Sequence, residues 1–392
     1  MFKNGEHIGT SMYGEGVVAR SFRGAGGTVE HVLSVRPPED LPFEGQLKAL
    51  QERYRQAQKF LDLAPSTAVF RRVFLSDILN QDEAVKQSEL VDAGTATSII
   101  GQPPLPQGRI ELIAYHVAGG EPAVKERLSP NHLLIKKGRQ RHLWTTRLCA
   151  RGEEHAVSAA EQTHEVFDDL IATLKSQDAR LSDHCVRTWI YVKDIDIFYS
   201  AMVKSRRELF EAEGLTRSTH YIASTGIEGR CAHRDDLVAM DAYSNLDLKP
   251  GQMTYLNDFD RLCPTKDYNV TFERATRVAY ADRAHCFISG TASIDKEGHI
   301  LHVGDVAHQL DRALENVSAL LKTGAATLDD MMYLIVYLRD PADFEAVEEI
   351  LVGRFPELPT VIVQGAVCRP AWLVEVEGVA VTRNHAPELP AF

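Results

Sequence analysis

The 392-residue chain lacks several features that mark membrane, secreted and nucleic-acid-binding proteins. Its longest aliphatic and aromatic run, Tyr333 to Leu338, is far shorter than the ~20 residues that span a bilayer. The opening segment MFKNGEHIGT has no apolar core of a secretory leader. Lysine and arginine number 43 against 55 acidic residues, and the resulting net charge of −12 argues against binding of nucleic acid through phosphate neutralisation.

Paired cysteine motifs are also missing. The six cysteines are widely spaced and none forms a CxxC pair, which predicts free thiols in a reducing compartment. The hydrophobic fraction of 44% and the charged fraction of 25% are ordinary for a globular protein. The length suits two or three domains. We therefore expect a cytoplasmic protein with no membrane and no nucleic-acid partner.

The chain does contain a threefold internal repeat. Each copy has an amphipathic helix followed by a β-rich segment, and these segments are VFRRVFLSD (69–77), CVRTWIYVKD (185–194) and MYLIVYLRD (332–340). A glutamine near each helix start precedes the strand aromatic by 28, 29 and 28 residues: Gln46 to Phe74, Gln162 to Tyr191 and Gln309 to Tyr337. Such agreement predicts three α+β units, at 1–122, 130–248 and 255–386.

Each unit closes with a further strand, around 110–114, 238–242 and 374–378. Successive side chains in a strand point to opposite faces, and every closing strand has one small or apolar face and one mixed face. We expect the helices to pack on the apolar face. The mixed face is then left to meet another sheet or to line a cavity.

Two segments imitate ligand-binding motifs. GAGG (24–27) resembles a dinucleotide loop, but the following TVEHVLSV has a strand pattern, and we interpret the glycines as a hairpin turn. His299, His302 and Asp305 have the spacing of metal ligands, but they precede a helix and no fourth ligand is indicated. We interpret Asp305 as the cap of a helix that begins near Ala307, and we predict no metal.

The third unit resembles the Rid/YjgF family of reactive-intermediate deaminases. The resemblance lies in FISGTASIDKEGHILHVGDVAHQLDRALENVSALL and in the closing strand LVEVEGVAV. The middle unit resembles the family more loosely, and the first only in outline. The resemblance implies ferredoxin-like (chorismate-mutase-like) α+β units. Because Rid proteins are trimers around a central β-barrel with sites at their interfaces, it also implies an intramolecular pseudo-trimer; whether two such molecules pair further stays open.

The last two units also resemble chorismatases, which are Rid-fold enzymes that remove the enolpyruvyl group of chorismate. The motifs follow the same order: RTWIYV, ASTGIEG, FERA, FISGTASI, H-x-GDV-x-x-Q and then Cys368 before Glu375. In that family the first glutamate of the closing L-V-E-x-E strand is the catalytic acid, which matches Glu375. TGIEG and DKEGH depart from the family's forms, so the resemblance does not establish chorismate as the substrate.

The functional residues of the family are distributed unequally. Deaminating Rid proteins hold the substrate carboxylate with an arginine on the strand before the closing one, and only the middle unit keeps it, as Arg217. The middle unit has Ala239 where the other units have Glu111 and Glu375. We therefore expect one or two competent interfaces at most.

Glu375 and Glu377 lie two apart on a strand and point to the same side. In a closed cavity two neighbouring carboxylates repel each other strongly when both are ionised, so one of them keeps a proton near neutral pH. A protonated carboxyl beside apolar groups suits protonation of an enol ether or enamine carbon. The alternative is a solvated or salt-bridged strand face.

The remaining candidates, among them Glu111, would bind the substrate. The planar guanidinium of Arg217 or Arg274 would hold a carboxylate through paired hydrogen bonds. Cys368 is read as a packed or pocket-lining thiol rather than a nucleophile. Thr225 and Gly226 mark either a turn or a close approach to a ligand.

Two functional hypotheses follow. The first is an enzyme of the Rid fold that acts by acid–base chemistry on an unsaturated small-molecule carboxylate: chorismatase-like cleavage, enamine or imine hydrolysis, or proton-initiated cyclisation in a biosynthetic pathway. None of these reactions needs a metal or an organic cofactor. The second is a non-catalytic ligand-binding or scaffold protein that kept the fold.

Overall fold

One strand order recurs three times along the chain. A computed structural model describes residues 8–12, 14–150, 158–265 and 270–392. Each of three six-stranded sheets has its strands in the order first, second, third, sixth, fourth, fifth, and only the fourth and fifth are parallel. The expected α+β fold of three tandem units is thus confirmed. The sheets lie within residues 8–118, 124–245 and 253–383, while the unit boundaries at 1–122, 130–248 and 255–386 stay predictions.

The strands of the three units correspond one to one. Unit 1 contains β1 (Ile8–Met12), β2 (Val17–Arg23), β3 (Val29–Val35), β4 (Ala68–Leu75), β5 (Ala96–Gly101) and β6 (Ile110–Ala118). Unit 2 contains β7 (Val124–Arg127), β8 (His132–Lys137), β9 (Gln140–Cys149), β10 (Cys185–Val192), β11 (Ala223–Glu228) and β12 (Val238–Asn245). Unit 3 contains β13 (Met253–Leu256), β14 (Ala275–Ala279), β15 (Arg283–Thr291), β16 (Met331–Leu338), β17 (Thr360–Gln364) and β18 (Val374–Arg383).

The helices lie between the third and sixth strands of each unit. They are α1 (Phe43–Phe60), α2 (Ile78–Lys86), α3 (Ala159–Ser176), α4 (Leu181–His184), α5 (Ile195–Ala212), α6 (Val306–Thr323) and α7 (Phe344–Arg354). Asp305 caps α6 as expected, since its carboxylate accepts a hydrogen bond from the backbone N–H of His308 at 3.1 Å. The GAGG segment forms the expected turn between β2 and β3.

The apolar face of each sheet packs on its helices, as the alternation in the closing strands predicts. In unit 1, Ile110, Leu112 and Ala114 share a buried cluster with Leu50 and Tyr54 of α1. The corresponding residues of unit 2, Val238, Met240 and Ala242, pack with α3 residues. The opposite face of every sheet is thereby left to face the other units.

These opposite faces meet in a common core at the centre of the molecule. Phe70 of unit 1 stacks on Trp144 of unit 2 with ring centroids 4.8 Å apart, and Tyr243 of unit 2 stacks on Phe287 of unit 3 at 5.4 Å. Across the described ranges, isolated bridges such as Gly101–Arg230 and Ile227–Val367 link the sheets instead of one continuous hydrogen-bonded ladder. The same ranges contain no helix that is both long and apolar enough to cross a membrane.

Candidate active site

A cavity lies between units 2 and 3, where β11 meets the beginning of β14 and the end of β15. It encloses about 560 Å³ of empty volume, part of it open to solvent. Unit 2 contributes side chains from α5 and β11, and unit 3 contributes the rest. The residues that bear on its chemistry are Tyr199, Arg206, Thr225, Gly226, Phe272, Arg274, Gly290, Cys368, Trp372 and Glu375.

Hydrogen bonds between the two units fix the walls of this cavity. The N–H of Ser224 donates to Oγ of Ser289 at 2.9 Å, and the N–H of Gly290 donates to Oγ1 of Thr225 at 2.8 Å. Further along the same edge of β11, the N–H of Glu228 donates to the carbonyl of Ala366 at 3.1 Å. One edge of β11 thus pairs with β10 of its own unit and the other is held by unit 3, so the site needs both units.

Glu375 is the acid of this cavity. It lies near the start of β18 and is only 6% exposed. Burial, and then the charge of Glu377, raise the pKa of Glu375 to about 8, against the smaller opposing effects of Arg187 and Arg274. No hydrogen bond to its carboxyl is formed by the described residues. A carboxyl group with this pKa is mostly neutral near pH 7 and is chemically able to donate a proton.

Glu377 has a different environment although it lies on the same face. Its carboxylate accepts hydrogen bonds from Arg187 Nη2 at 2.6 Å, Trp189 Nε1 at 2.9 Å and Tyr337 OH at 3.0 Å. The hydroxyl of Thr225 donates to it as well. These donors satisfy Glu377 as a structural anion, and its negative charge disfavours ionisation of Glu375.

Two buried guanidinium groups line the same cavity. Arg274, a predicted site residue, lies over the ring of Phe272 at 5.4 Å and donates from Nη2 to the carbonyl of Cys263 at 2.9 Å. Arg206 of α5 is 2% exposed and donates to Thr271 and Ser224. Its Nη2 atom is buried without a hydrogen-bond partner in the described residues. Because an orphaned buried donor is costly, this atom marks a place for an acceptor group of a ligand.

Arg206 was missed by the sequence analysis. It lies four residues after Met202 and three before Leu209, on the buried face of α5. A charged residue at an apolar helical position was the available signal, because such a residue is rarely buried without a partner.

The other predicted residues of the cavity lie in its wall. Burial, and then Glu375, raise the pKa of the Cys368 thiol to about 12, which fits a pocket-lining thiol and not a nucleophile. Thr225 and Gly226 lie within β11 rather than in a turn. A Cβ atom on Gly226 would lie 3.2 Å from the ring of Tyr199, so the glycine allows close packing of α5 on the strand.

Arg217 does not lie in this cavity, which corrects its predicted place on a strand. It is exposed in a turn between α5 and β11, and β11 begins only at Ala223. The segment that follows Gly214 is held as a turn by Thr219, whose hydroxyl donates to the carbonyl of Gly214. The turn explains the difference, since polar threonine and serine side chains compete with strand hydrogen bonding.

The two other interfaces carry altered versions of the site. Glu111 of β6 pairs with Phe74 in the same register in which Glu375 pairs with Tyr337. It is buried between units 1 and 3, and burial raises its pKa to about 7. Its Oε1 lies 3.7 Å from Nε of Arg36. Between units 1 and 2, Ala239 replaces the glutamate. The interface at Glu375 differs from these two because a neutral carboxyl group and two buried guanidinium groups line one cavity there.

His299, His302 and Asp305, whose spacing resembles that of metal ligands, do not form a ligand cluster among the described residues. A different set, Asp295, Glu297 and His299, has ligand atoms within 4.8 Å of one another, in a hairpin that is mostly exposed. Asp305 instead caps α6 and accepts a hydrogen bond from Nδ1 of His308 at 2.7 Å. Exposed acidic groups often cluster in this way without an ion.

The fold and the site define a class of protein: three tandem α+β units with a carboxyl-bearing cavity between two of them. A family model described as endoribonuclease L-PSP matches residues 274–382. The 3-aminoacrylate deaminase RutC of Acinetobacter baylyi is 31% identical over 96 residues, which are 24% of this chain and 76% of that protein. The chain belongs to the Rid/YjgF family, as the sequence resemblance predicts.

Two solved structures are similar to this chain to different extents. A chorismatase structure superposes with a TM-score of 0.61 at 18% identity, over 80% of this chain and 93% of that one. RidA of an Antarctic Psychrobacter species matches 33% of this chain and 99% of its own, with 21% identity and a TM-score of 0.29. At 18% identity the likeness to the chorismatase concerns the fold alone.

Proposed function

We propose that the protein is a cofactor-independent enzyme that protonates an unsaturated carbon of a small carboxylate substrate in the cavity between units 2 and 3. The observation that carries this proposal is the neutral carboxyl of Glu375, which accepts no hydrogen bond from the described residues and lines the same cavity as the buried guanidiniums of Arg206 and Arg274. A carboxylic acid with a pKa near 8 retains its proton at neutral pH and still transfers it to a basic carbon.

The reaction best suited to this arrangement is hydrolysis of an enol ether or enamine that carries a carboxylate. Arg206 and Arg274 bind the substrate carboxylate. Glu375 protonates the carbon of the double bond that does not carry the oxygen or nitrogen, which leaves a cation on the other carbon, stabilised by that oxygen or nitrogen. Water adds to this cation and returns a proton to Glu375. The tetrahedral adduct then loses an alcohol or ammonia, and a keto acid or aldehyde acid is formed.

Apolar side chains around Glu375 support the same chemistry. Phe272 and Trp372 line the cavity, and Trp372 is held by a hydrogen bond from its Nε1 to the carbonyl of Ser293 at 2.9 Å. Exclusion of water by these rings keeps the acid neutral and strengthens its interaction with a developing charge.

The test uses two probes, chorismate as an enolpyruvyl ether and 3-aminoacrylate as an enamine. Release of pyruvate or of ammonia is measured for the wild type and for Glu375→Gln, with binding measured separately by calorimetry. We expect Glu375→Gln to lose turnover and to keep binding. Glu111→Gln, the matched change at another interface, should leave turnover of the same probe intact.

The opposite outcomes are equally clear. Unchanged turnover in Glu375→Gln would exclude Glu375 as the acid. Tight binding of carboxylates without turnover of either probe would favour the non-catalytic alternative, in which the cavity only holds a ligand.

A further inference from the structure

A second cavity lies at the centre of the molecule, where the inward faces of the three sheets meet. It contains about 1060 Å³ of empty space, part of it continuous with solvent. All three units line it, and none of its lining residues lines the cavity at Glu375. It is therefore separate from the proposed active site and is not explained by it.

Aromatic rings form much of its wall. Trp144 stacks on Phe70 at 4.8 Å with an interplanar angle of 21°, and it lies 4.7 Å from Tyr243. Phe70 in turn lies parallel to Trp189, with centroids 6.4 Å apart and an angle of 14°. These rings give the cavity an extended apolar wall, which suits a ligand that carries an aromatic ring.

Two lysines give one wall of this cavity a positive charge. Lys125 of β7 lies opposite Ile135 of β8, and Lys137 lies two residues further on the same face. Nζ of Lys137 donates to the carbonyls of Gly119 and Glu121 at 2.9 and 2.7 Å, and Nζ of Lys125 donates to the carbonyl of Ala68. Neither ammonium group pairs with a carboxylate of the described residues.

Glu30, a carboxylate that lines this cavity, is already held by other donors. Glu30 accepts hydrogen bonds from Arg283 Nη1 at 2.6 Å, from His285 Nε2 at 3.0 Å and from Tyr115 OH at 2.5 Å. Burial lowers the pKa of Lys125 to about 8, with the charge of Asp92 opposing the shift and that of Arg71 adding to it. Burial and then the charge of Arg283 lower the pKa of Lys137, against the opposing charge of Glu121. An anionic ligand group would place further negative charge beside both ammonium groups.

We propose that the central cavity is a second ligand site that binds a planar aromatic carboxylate, with its ring against Phe70 and Trp144 and its anionic group at Lys125 and Lys137. The ring provides the apolar area that the cavity accepts, and the carboxylate provides an ion-pair partner for the two ammonium groups, which otherwise donate to backbone carbonyls. This inference does not depend on the reaction at Glu375.

The experiment is calorimetric titration of the full chain with 2-naphthoate, with 2-naphthamide as the neutral ring and cyclohexanecarboxylate as the non-aromatic acid. We expect 2-naphthoate to bind most tightly. Replacement of both lysines, Lys125→Met with Lys137→Met, should weaken 2-naphthoate by about ten- to hundredfold and leave 2-naphthamide unchanged. Lys136→Met is the matched control, because Lys136 is exposed on the same strand and pairs with Glu126 at 2.9 Å.

Binding at the other cavity gives a distinct result. If 2-naphthoate occupies the site at Glu375, Arg206→Met will weaken it and the lysine changes will not, which would overturn the proposal. Equal affinity for all three compounds, or none, would overturn it as well. Should the double variant fail to fold, the pH dependence of the wild type decides: affinity for 2-naphthoate should fall between pH 7 and 9, as Lys125 loses its proton.

Discussion

The carboxyl of Glu375 occupies the space that a side chain on Gly290 would fill. A Cβ atom on Gly290 would lie 2.2 Å from Oε1 of Glu375 and 3.1 Å from Cγ2 of Thr225. Gly290 lies at an irregularity of β15, where the pairing with β18 shifts between Ile288 and Thr291. The bulge and the missing side chain together create room for the acid at the interface.

Gly290→Ala should therefore displace the Glu375 carboxyl without changing the fold. Because a misplacement of about 1 Å costs about a hundredfold in rate, we expect turnover of the accepted probe to fall by about that factor. Gly353→Ala is the control, since a Cβ there meets nothing within 4 Å. Steady-state kinetics and circular dichroism of both variants provide the measurement. Full activity in Gly290→Ala would contradict the assigned position of the acid.

Glu375→Gln should change the pH dependence of stability in a defined direction. The pKa of Glu375 is raised from 4.5 to about 8 in the folded protein. The wild-type free energy of unfolding is therefore unaffected by this group below pH 4.5, and it falls as the pH rises from 4.5 to 8 because the unfolded chain loses the proton first. Glutamine stays neutral throughout. The free energy of unfolding of the variant relative to the wild type should rise by on the order of 1 kcal/mol per pH unit over this window.

Urea unfolding at several pH values between 5 and 8 measures this difference. Glu349→Gln, on the exposed side of α7, serves as the comparison, and its difference from the wild type should be flat. A flat difference for Glu375→Gln too would mean that Glu375 is ionised at neutral pH, and the proposed acid would be lost.

Arg206, rather than Arg217, should anchor the substrate carboxylate. Arg206→Met removes a buried donor that has an unpartnered Nη2 atom, so we expect KM for the accepted probe to rise by about ten- to hundredfold with a smaller effect on kcat. Arg217→Ala, in the exposed turn, should leave both constants unchanged. A rise of KM in Arg217→Ala alone would reverse the assignment and show that the turn closes over the site.

The contrast between these arginines shows how far the sequence could be interpreted. Helices, strands and the position of Glu375 followed from local periodicity, which reports the face on which each side chain lies. Arg217 was misplaced because its strand assignment depended on a family motif, while the local Thr216–Thr219 hydrogen bonds favour a turn. Local patterns do not show which distant segments surround a buried charge, and for that reason Arg206 was missed.

Arg72 illustrates the same limit at the centre of the molecule, and it provides the last prediction. Its guanidinium, 1% exposed, lies 3.5 Å from Asp241 of unit 2 and 3.4 Å from Glu377 of unit 3, and it stacks over Trp189 at 4.6 Å. One cation thus holds carboxylates from both other units. Arg72→Met leaves both carboxylates without it, and we expect a loss of about 3–5 kcal/mol in the free energy of unfolding.

Chemical unfolding of Arg72→Met measures this loss, and Arg55→Met on the surface of α1 is the control. Arg55 also forms two ion pairs, with Glu52 and Glu89, but it is 53% exposed, so its removal should change stability little. Addition of Asp241→Asn to Arg72→Met should recover part of the loss because it removes one of the uncompensated buried charges. If the two arginine variants lose similar stability, the three units are held by their apolar contacts and the buried charges do not link them.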